Sequence, residues 1–291
     1  MLNHLTIGLN LNVEKHLNIK SGCLVADITT GNGGHLERFA HSVGPTGLVI
    51  ALDQDARCLQ SYSAAGVALK HSNIFLYNTC FLNIFSILHF LNVKELDAVF
   101  ADLGFSSPQI DNPARGFSFL QDGPLDMRMN KDKGLTAFEL INKSNVSELA
   151  QLLYKYGNEP FAYKIARKIK SEKYFPNSTH ALASLICKIY TKPCNHHPAT
   201  KSFQALRIAV NQETEKLTSL FKKIPKIIKT KGLLGILSFH SIEDQLIKKH
   251  FHQNKILWRL KLKLKINTHT KDIEKNPRAR CATLRIFQKL I

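Results

Sequence analysis

Three short apolar runs, each closed by an aspartate, constrain this chain more than any other feature. Cys23-Leu24-Val25-Ala26 ends in Asp27, Leu48-Val49-Ile50-Ala51-Leu52 in Asp53, and Ala98-Val99-Phe100-Ala101 in Asp102. Helix-like segments separate them. Strands without polar alternation are buried on both faces, as happens when helices cover both sides of a parallel sheet. The reading is an α/β fold with three carboxylates just past strand ends, where open α/β sheets bind ligands.

Residues 111–200 carry no strand signal. Ser144 to Tyr156 places Leu149, Leu152, Leu153 and Tyr156 on one helical face, with Gly157 as its stop. Glu159 to Lys173 has Pro160 in its first turn, and Thr179 to Tyr190 carries a stripe of Leu182, Leu185, Ile186 and Ile189. After residue 200 the α/β character returns. Leu206, Val210, Leu217, Phe221 and Ile224 fit one helix face, and Leu233 to Phe239 reads as a strand. Arg259 to Ile266 alternates Leu260, Leu262, Leu264 and Ile266 with Arg259, Lys261, Lys263 and Lys265, a strand with one apolar and one basic face. Thr283 to Phe287 completes the set. The expected organisation is a core of residues 1–110 and 201–291, interrupted by a helical, substrate-facing insertion at 111–200.

Charge narrows the partners. The 291 residues hold 40 Lys plus Arg against 22 Asp plus Glu, a net charge of +18. Such a balance points to an acidic partner, nucleic acid first. No run of about 18 apolar residues exists to span a membrane. Met1 to Thr6 lacks the basic and apolar regions of a secretory leader. Cys23, Cys58, Cys80, Cys187, Cys194 and Cys281 form no C-x-x-C pair, so reduced thiols and a cytoplasmic setting are expected.

The chemistry concentrates at the strand ends. Asp27-x-Thr29-x-Gly31-x-Gly33-Gly34-His35 is a glycine-rich turn that lets a cofactor approach the backbone. Asp53, 22 residues beyond Gly31, is placed to accept both hydroxyls of a ribose. This suits a nicotinamide or S-adenosylmethionine equally. However, Leu36 stands where the dinucleotide fingerprint needs its third glycine, so a pyrophosphate fits poorly. S-adenosylmethionine has no phosphate to accommodate.

Asp102-Leu103-Gly104-Phe105-Ser106-Ser107-Pro108-Gln109 follows the third run. An exocyclic amine is a weak nucleophile because its lone pair is delocalised into the ring. An acceptor for its N–H groups helps it react, and ionised Asp102 or the carbonyls of Ser106 and Ser107 are available. Arg115-Gly116-Phe117-Ser118-Phe119 and Arg128 suit an extruded base on a phosphodiester chain, and equally a hydrophobic hinge. RNA-contact candidates are Phe105, Arg115, Phe117, Phe119, Arg128, Lys201, Lys261 and Lys263. No metal is expected: Cys194, His196 and His197 read as a loop. Ser238, His240, Glu243 and Asp244 lack the G-x-S-x-G of a hydrolase.

Several segments together resemble the MraW/RsmH-type methyltransferases, which make N4-methylcytidine in 16S ribosomal RNA. They are GNGGH at 31–35, DQD at 53–55 and DLGFSSPQIDNPARGFSFLQDGPLDMRM at 102–129. YGNEPFAYKIARKI at 156–169, HPATKSFQALRIAVNQE at 197–213, LSFHSIEDQLIKKHF at 237–251 and NPRARCATLR at 276–285 continue the likeness. The resemblance implies a class I, Rossmann-like mixed sheet with an inserted, mostly helical domain. It implies S-adenosylmethionine as cofactor, and small-subunit ribosomal RNA or the assembled small subunit as partner, without a membrane. By resemblance Gly33, Gly34 and His35 line the cofactor's methionine end, Asp53 takes the ribose and Phe81 packs by the adenine. Asp102 and Gln109 complete the pocket, and Asp102 is the catalytic candidate. The alternatives are a nicotinamide oxidoreductase, opposed by Leu36 and the charge, and a catalytically silent RNA chaperone, opposed by Asp53, Asp102 and Ser106-Ser107-Pro108.

Overall fold

The computed structural model describes residues 11–57, 72–191, 196–265 and 282–291. The expectations for the first residues, Cys194, Ile266 and the segment 276–281 lie outside them. In chain order the elements are α1 (Val13–His16), β1 (Leu24–Asp27), α2 (Leu36–Val43), β2 (Leu48–Asp53), β3 (Ile74–Asn78), α3 (Ile84–Phe90) and β4 (Leu96–Asp102). Then come α4 (Ser107–Asp111), α5 (Ala137–Lys143), α6 (Val146–Gly157), α7 (Ala162–Ser171), α8 (Thr179–Cys187) and α9 (Thr200–Asn211). The chain closes with α10 (Glu213–Lys223), β5 (Ile228–Ser238), α11 (Ser241–Gln253), β6 (Trp258–Lys265) and β7 (Thr283–Lys289). Two compact units result: Met1–Gly104 with Glu215–Ile291, and Phe105–Thr214.

The first unit is built on one sheet in the order β3-β2-β1-β4-β5-β7-β6. The strands from β3 to β5 are parallel, and β7 runs antiparallel to both of its neighbours. The apolar runs are buried on both faces, as their composition requires. Ala26, Ile50, Leu52, Val99 and Ala101 pack on one side with Ile84 of α3, Phe221 of α10 and Phe251 of α11. Val25, Val49, Ala51, Ala98 and Phe100 pack on the other with Val13 of α1 and Leu36, Phe39 and Val43 of α2. Strand order reverses between β1 and β4, so Asp27 and Asp102 end the two strands that flank the topological switch point.

The second unit is helical. Leu125 and Met127 join Ile141, Leu149, Leu153, Ile165, Ile169, Leu182, Ile186, Phe203 and Leu206 in its core.

Four sequence expectations are revised. The helical unit is wider than 111–200, because α9 buries Phe203, Ala205 and Leu206 within it and Asn211 bonds the backbone of Met127 and Met129. The single helix expected through Leu206 and Ile224 is two, broken at Gln212, whose φ is 52°. Gly157 is not needed as a left-handed stop, since Asn158 takes that conformation. A Cβ at Gly157 would instead stand 2.5 Å from the Lys201 carbonyl, so its role is close packing of α6 on α9. Finally, a bulge between Leu260 and Leu262 shifts the pairing of β6. Leu260 stands opposite Phe287, whereas Leu262 and Leu264 stand opposite Ile286 and Leu284. Successive β7 positions point to opposite faces, so Leu260 changes side and is 49% exposed. The basic face is split likewise, with Arg259 opposite Gln288 and Lys263 opposite Arg285.

Candidate active site

The carboxyl edge of the sheet gathers the acids that the sequence pattern singled out. Asp53 ends β2, and both its carboxylate oxygens organise backbone. Oδ2 accepts from the Gly31 N–H at 2.8 Å and Oδ1 from the Asp55 N–H at 2.8 Å. Its carbonyl accepts from Thr79 and from the Asn78 side chain. The loop that Asp53 grips carries φ values of 53° at Gly31 and 79° at Gly33, a conformation that glycine adopts without strain.

Asp27 and Asp102 are the other half of the edge. Asp27 is buried, and burial pushes its carboxyl up to about 7; the Thr29 N–H bond opposes this and the charge of Asp53 adds to it. Burial, then the charges of Asp27 and Glu243, hold Asp102 well above the ordinary carboxylate range. The Asp102 N–H donates to the Thr29 hydroxyl at 2.6 Å, which fixes the backbone. Yet the buried Asp102 Oδ1 meets no hydrogen-bond partner among the described residues. Burial and the charges of Asp27 and Glu243 thus disfavour the ionised form of Asp102 that the sequence reading expects. The buried Asp27 and the part-buried Asp102 with its unmet acceptor fit a ligand that brings positive charge. S-adenosylmethionine does so through its ammonium and sulfonium. Asp27 itself was passed over as a site residue, although the strand-end argument that selected Asp53 and Asp102 applies to it equally.

Other expected cofactor residues have local roles. His35 precedes α2, and its ring is 4% exposed, packed edge-on to Phe100 at 4.8 Å and against Phe39 at 6.0 Å. Its side chain is thus a core element beneath the glycine loop. Phe81 opens a short turn, Phe81–Asn83, and is half-buried against the apolar cluster of that face. In the helical unit, Gln109 is buried and completes the cap of α4, its Oε1 accepting from the Ser106 N–H at 2.9 Å.

Among the RNA candidates, Arg115 is corrected. It is 2% exposed, and its Nη2 donates to the carbonyls of Arg128 and Met129, so it folds the 115–129 segment. Phe117 is buried, and Phe119 stacks on His197 at 4.4 Å. Arg128 is held by Asp126 through two bonds, at 2.8 and 3.0 Å. Phe105 lies under the Arg207 guanidinium at 4.8 Å, which Glu213 fixes in turn. Lys201, Lys261 and Lys263 are exposed. His240 and Glu243 form the cap of α11, and Asp244 pairs with Lys248 and Arg285.

A sheet of this order, with an antiparallel β7 and acids ending β1, β2 and β4 beside a glycine loop, defines an S-adenosylmethionine-dependent class I methyltransferase. A putative rRNA-methylase from Clostridium thermocellum shares the fold, with a TM-score of 0.51 at 11% identity over 100% of this chain and 99% of that one. The MraW methylase family profile matches residues 1–290, and the chain belongs to that family. Ribosomal RNA small subunit methyltransferase H of Prochlorococcus marinus (strain MIT 9211) is 43% identical, with 92% of this chain and 87% of the relative covered. The protein of the same name from Ruthia magnifica subsp. Calyptogena magnifica is 35% identical, with 98% of each covered. Among the described residues no helix is long and apolar enough to cross a membrane.

Proposed function

We propose that this chain methylates the exocyclic N4 amine of a cytidine in small-subunit ribosomal RNA, in the cytoplasm, with the base extruded from its strand. The observation that carries the chemistry is the buried, unpartnered Asp102 Oδ1 at the switch point. S-adenosylmethionine, when bound, supplies an electrophilic methyl group on a positively charged sulfur. Asp53 takes its ribose, and the backbone of Gly31 to Gly34 lets it approach. Asp27 and Asp102 face its positive charge, which draws their carboxyls down towards the ionised form. Asp102 Oδ1 then accepts an N–H bond from the amine, and afterwards the proton that the amine must lose once it carries the methyl group. No group has to deprotonate the amine beforehand; the site needs an acceptor aimed where positive charge develops.

The test uses S-adenosylmethionine labelled in its methyl group and undermethylated small subunits, with protein-free ribosomal RNA alongside. Digestion to nucleosides should place the label in N4-methylcytidine. Label in another nucleoside, or none in RNA, contradicts the reading. The better of the two substrates identifies the form acted upon.

A further inference from the structure

The turn joining α6 to α7 presents rings and cations to solvent. Tyr154, in the last turn of α6, is 66% exposed, and Tyr163, in the first turn of α7, is 61% exposed. Lys155 and Lys164 follow them in the chain and are exposed too. Lys201 of α9 joins the same turn, its Nζ donating to the Asn158 carbonyl at 3.4 Å. The one acid between residues 154 and 164, Glu159, is fully buried. It turns inward and accepts from the Tyr190 and Ser202 hydroxyls.

Core packing does not account for the two tyrosines. Leu149, Leu153, Ile165 and Ile169 fill the interior faces of these helices, and any polar residue would serve the solvent side. Exposed rings interleaved with lysines are the composition that binds unpaired nucleic acid, rings against bases and cations against phosphates. A folded acidic protein would use the lysines but would leave the flat ring faces without a matching partner. We propose that the α6–α7 turn docks an unpaired segment of the substrate RNA. Bases stack on Tyr154 and Tyr163, and phosphates lie at Lys155, Lys164 and Lys201. This rests on the reading of the chain as a ribosomal RNA methyltransferase.

The test is anisotropy of a fluorescein-labelled single-stranded oligoribonucleotide with the full-length protein. Tyr154→Ala with Tyr163→Ala should weaken binding by about thirtyfold or more, at the lower range of two lost stacking contacts. Tyr154→Phe with Tyr163→Phe keeps the rings and should bind like the wild type. Replacing Lys155, Lys164 and Lys201 by Gln should make the log–log salt dependence shallower by about 2. Cofactor affinity, read by calorimetry, should stay unchanged in every variant. Wild-type RNA affinity in the alanine pair, or an unchanged salt slope in the lysine variant, overturns the docking surface. Wild-type cytidine methylation in the same samples separates the claims. If it is present while the affinities do not move, only the surface fails. If it is absent, the functional reading fails, and the identity of the occupant with it.

Discussion

Glu159 in the helical unit and Asp102 in the sheet unit each hold a carboxyl oxygen shut off from solvent, with opposite surroundings. Glu159 accepts from Tyr190, Ser202 and the Phe161 N–H. Asp102 has a buried oxygen that meets no donor, and it shares its surroundings with the acids Asp27 and Glu243. A buried carboxyl group with its donors in place ties elements together; here it joins the start of α7 to α9 and to the segment after α8. An acid with an unmet buried oxygen and acidic neighbours costs stability by itself, and it persists where a ligand completes it. The contrast separates structural acids from functional ones without reference to sequence.

That contrast breaks most sharply under substitution. Asp102→Asn keeps shape and burial but removes the charge, and single-turnover methyl transfer at saturating cofactor should fall roughly 10²-fold or more. Full recovery at saturation would reduce Asp102 to a binding residue and pass the acceptor role to the Ser106 and Ser107 carbonyls. Glu159→Ala should do the reverse. It leaves buried donors unmet and should lower unfolding free energy by about 2 kcal/mol in urea titrations, with cofactor affinity unchanged. Asp53→Ala removes hydrogen bonds from the ribose and from the Gly31 loop, and should weaken cofactor binding about tenfold by calorimetry. Smallest is Lys261→Gln with Lys263→Gln on the exposed edge of β6. If these lysines meet phosphates, the RNA salt slope becomes shallower by about 1.4, with no change in cofactor affinity.

Much of the sheet unit was legible because its strands are unbroken apolar runs, and their closing aspartates mark the carboxyl edge directly. β3 was not read as a strand from periodicity. Ile74-Phe75-Leu76-Tyr77 is a short edge strand whose side chains are only partly buried, so its composition carries a weak signal. The bulge in β6 was invisible because the Leu–Lys alternation continues through it; only the pairing with β7 shows that the phase changes. Arg115 was misjudged for a related reason. An arginine beside phenylalanines suits a phosphate site and a buried backbone clamp equally, and burial decides between them. The extent of the helical unit depended on α9, whose apolar stripe in sequence does not say which core it joins. The raised carboxyl of Asp102 follows from burial and from the charges of Asp27 and Glu243, which the chain order does not display.

The most direct test of the claim that Asp27 and Asp102 await a cationic ligand is the proton balance of S-adenosylmethionine binding at about pH 6. It is read by calorimetry in two buffers of different ionisation enthalpy. Both carboxyls are raised, Asp27 to about 7, so Asp27 is mainly protonated at that pH and Asp102 is shifted in the same direction. A positive ligand lowers them again, and protons leave. The account predicts net proton release by the wild type, and less of it in Asp27→Asn and in Asp102→Asn. Binding without proton release, or the same release in both variants as in the wild type, would contradict it.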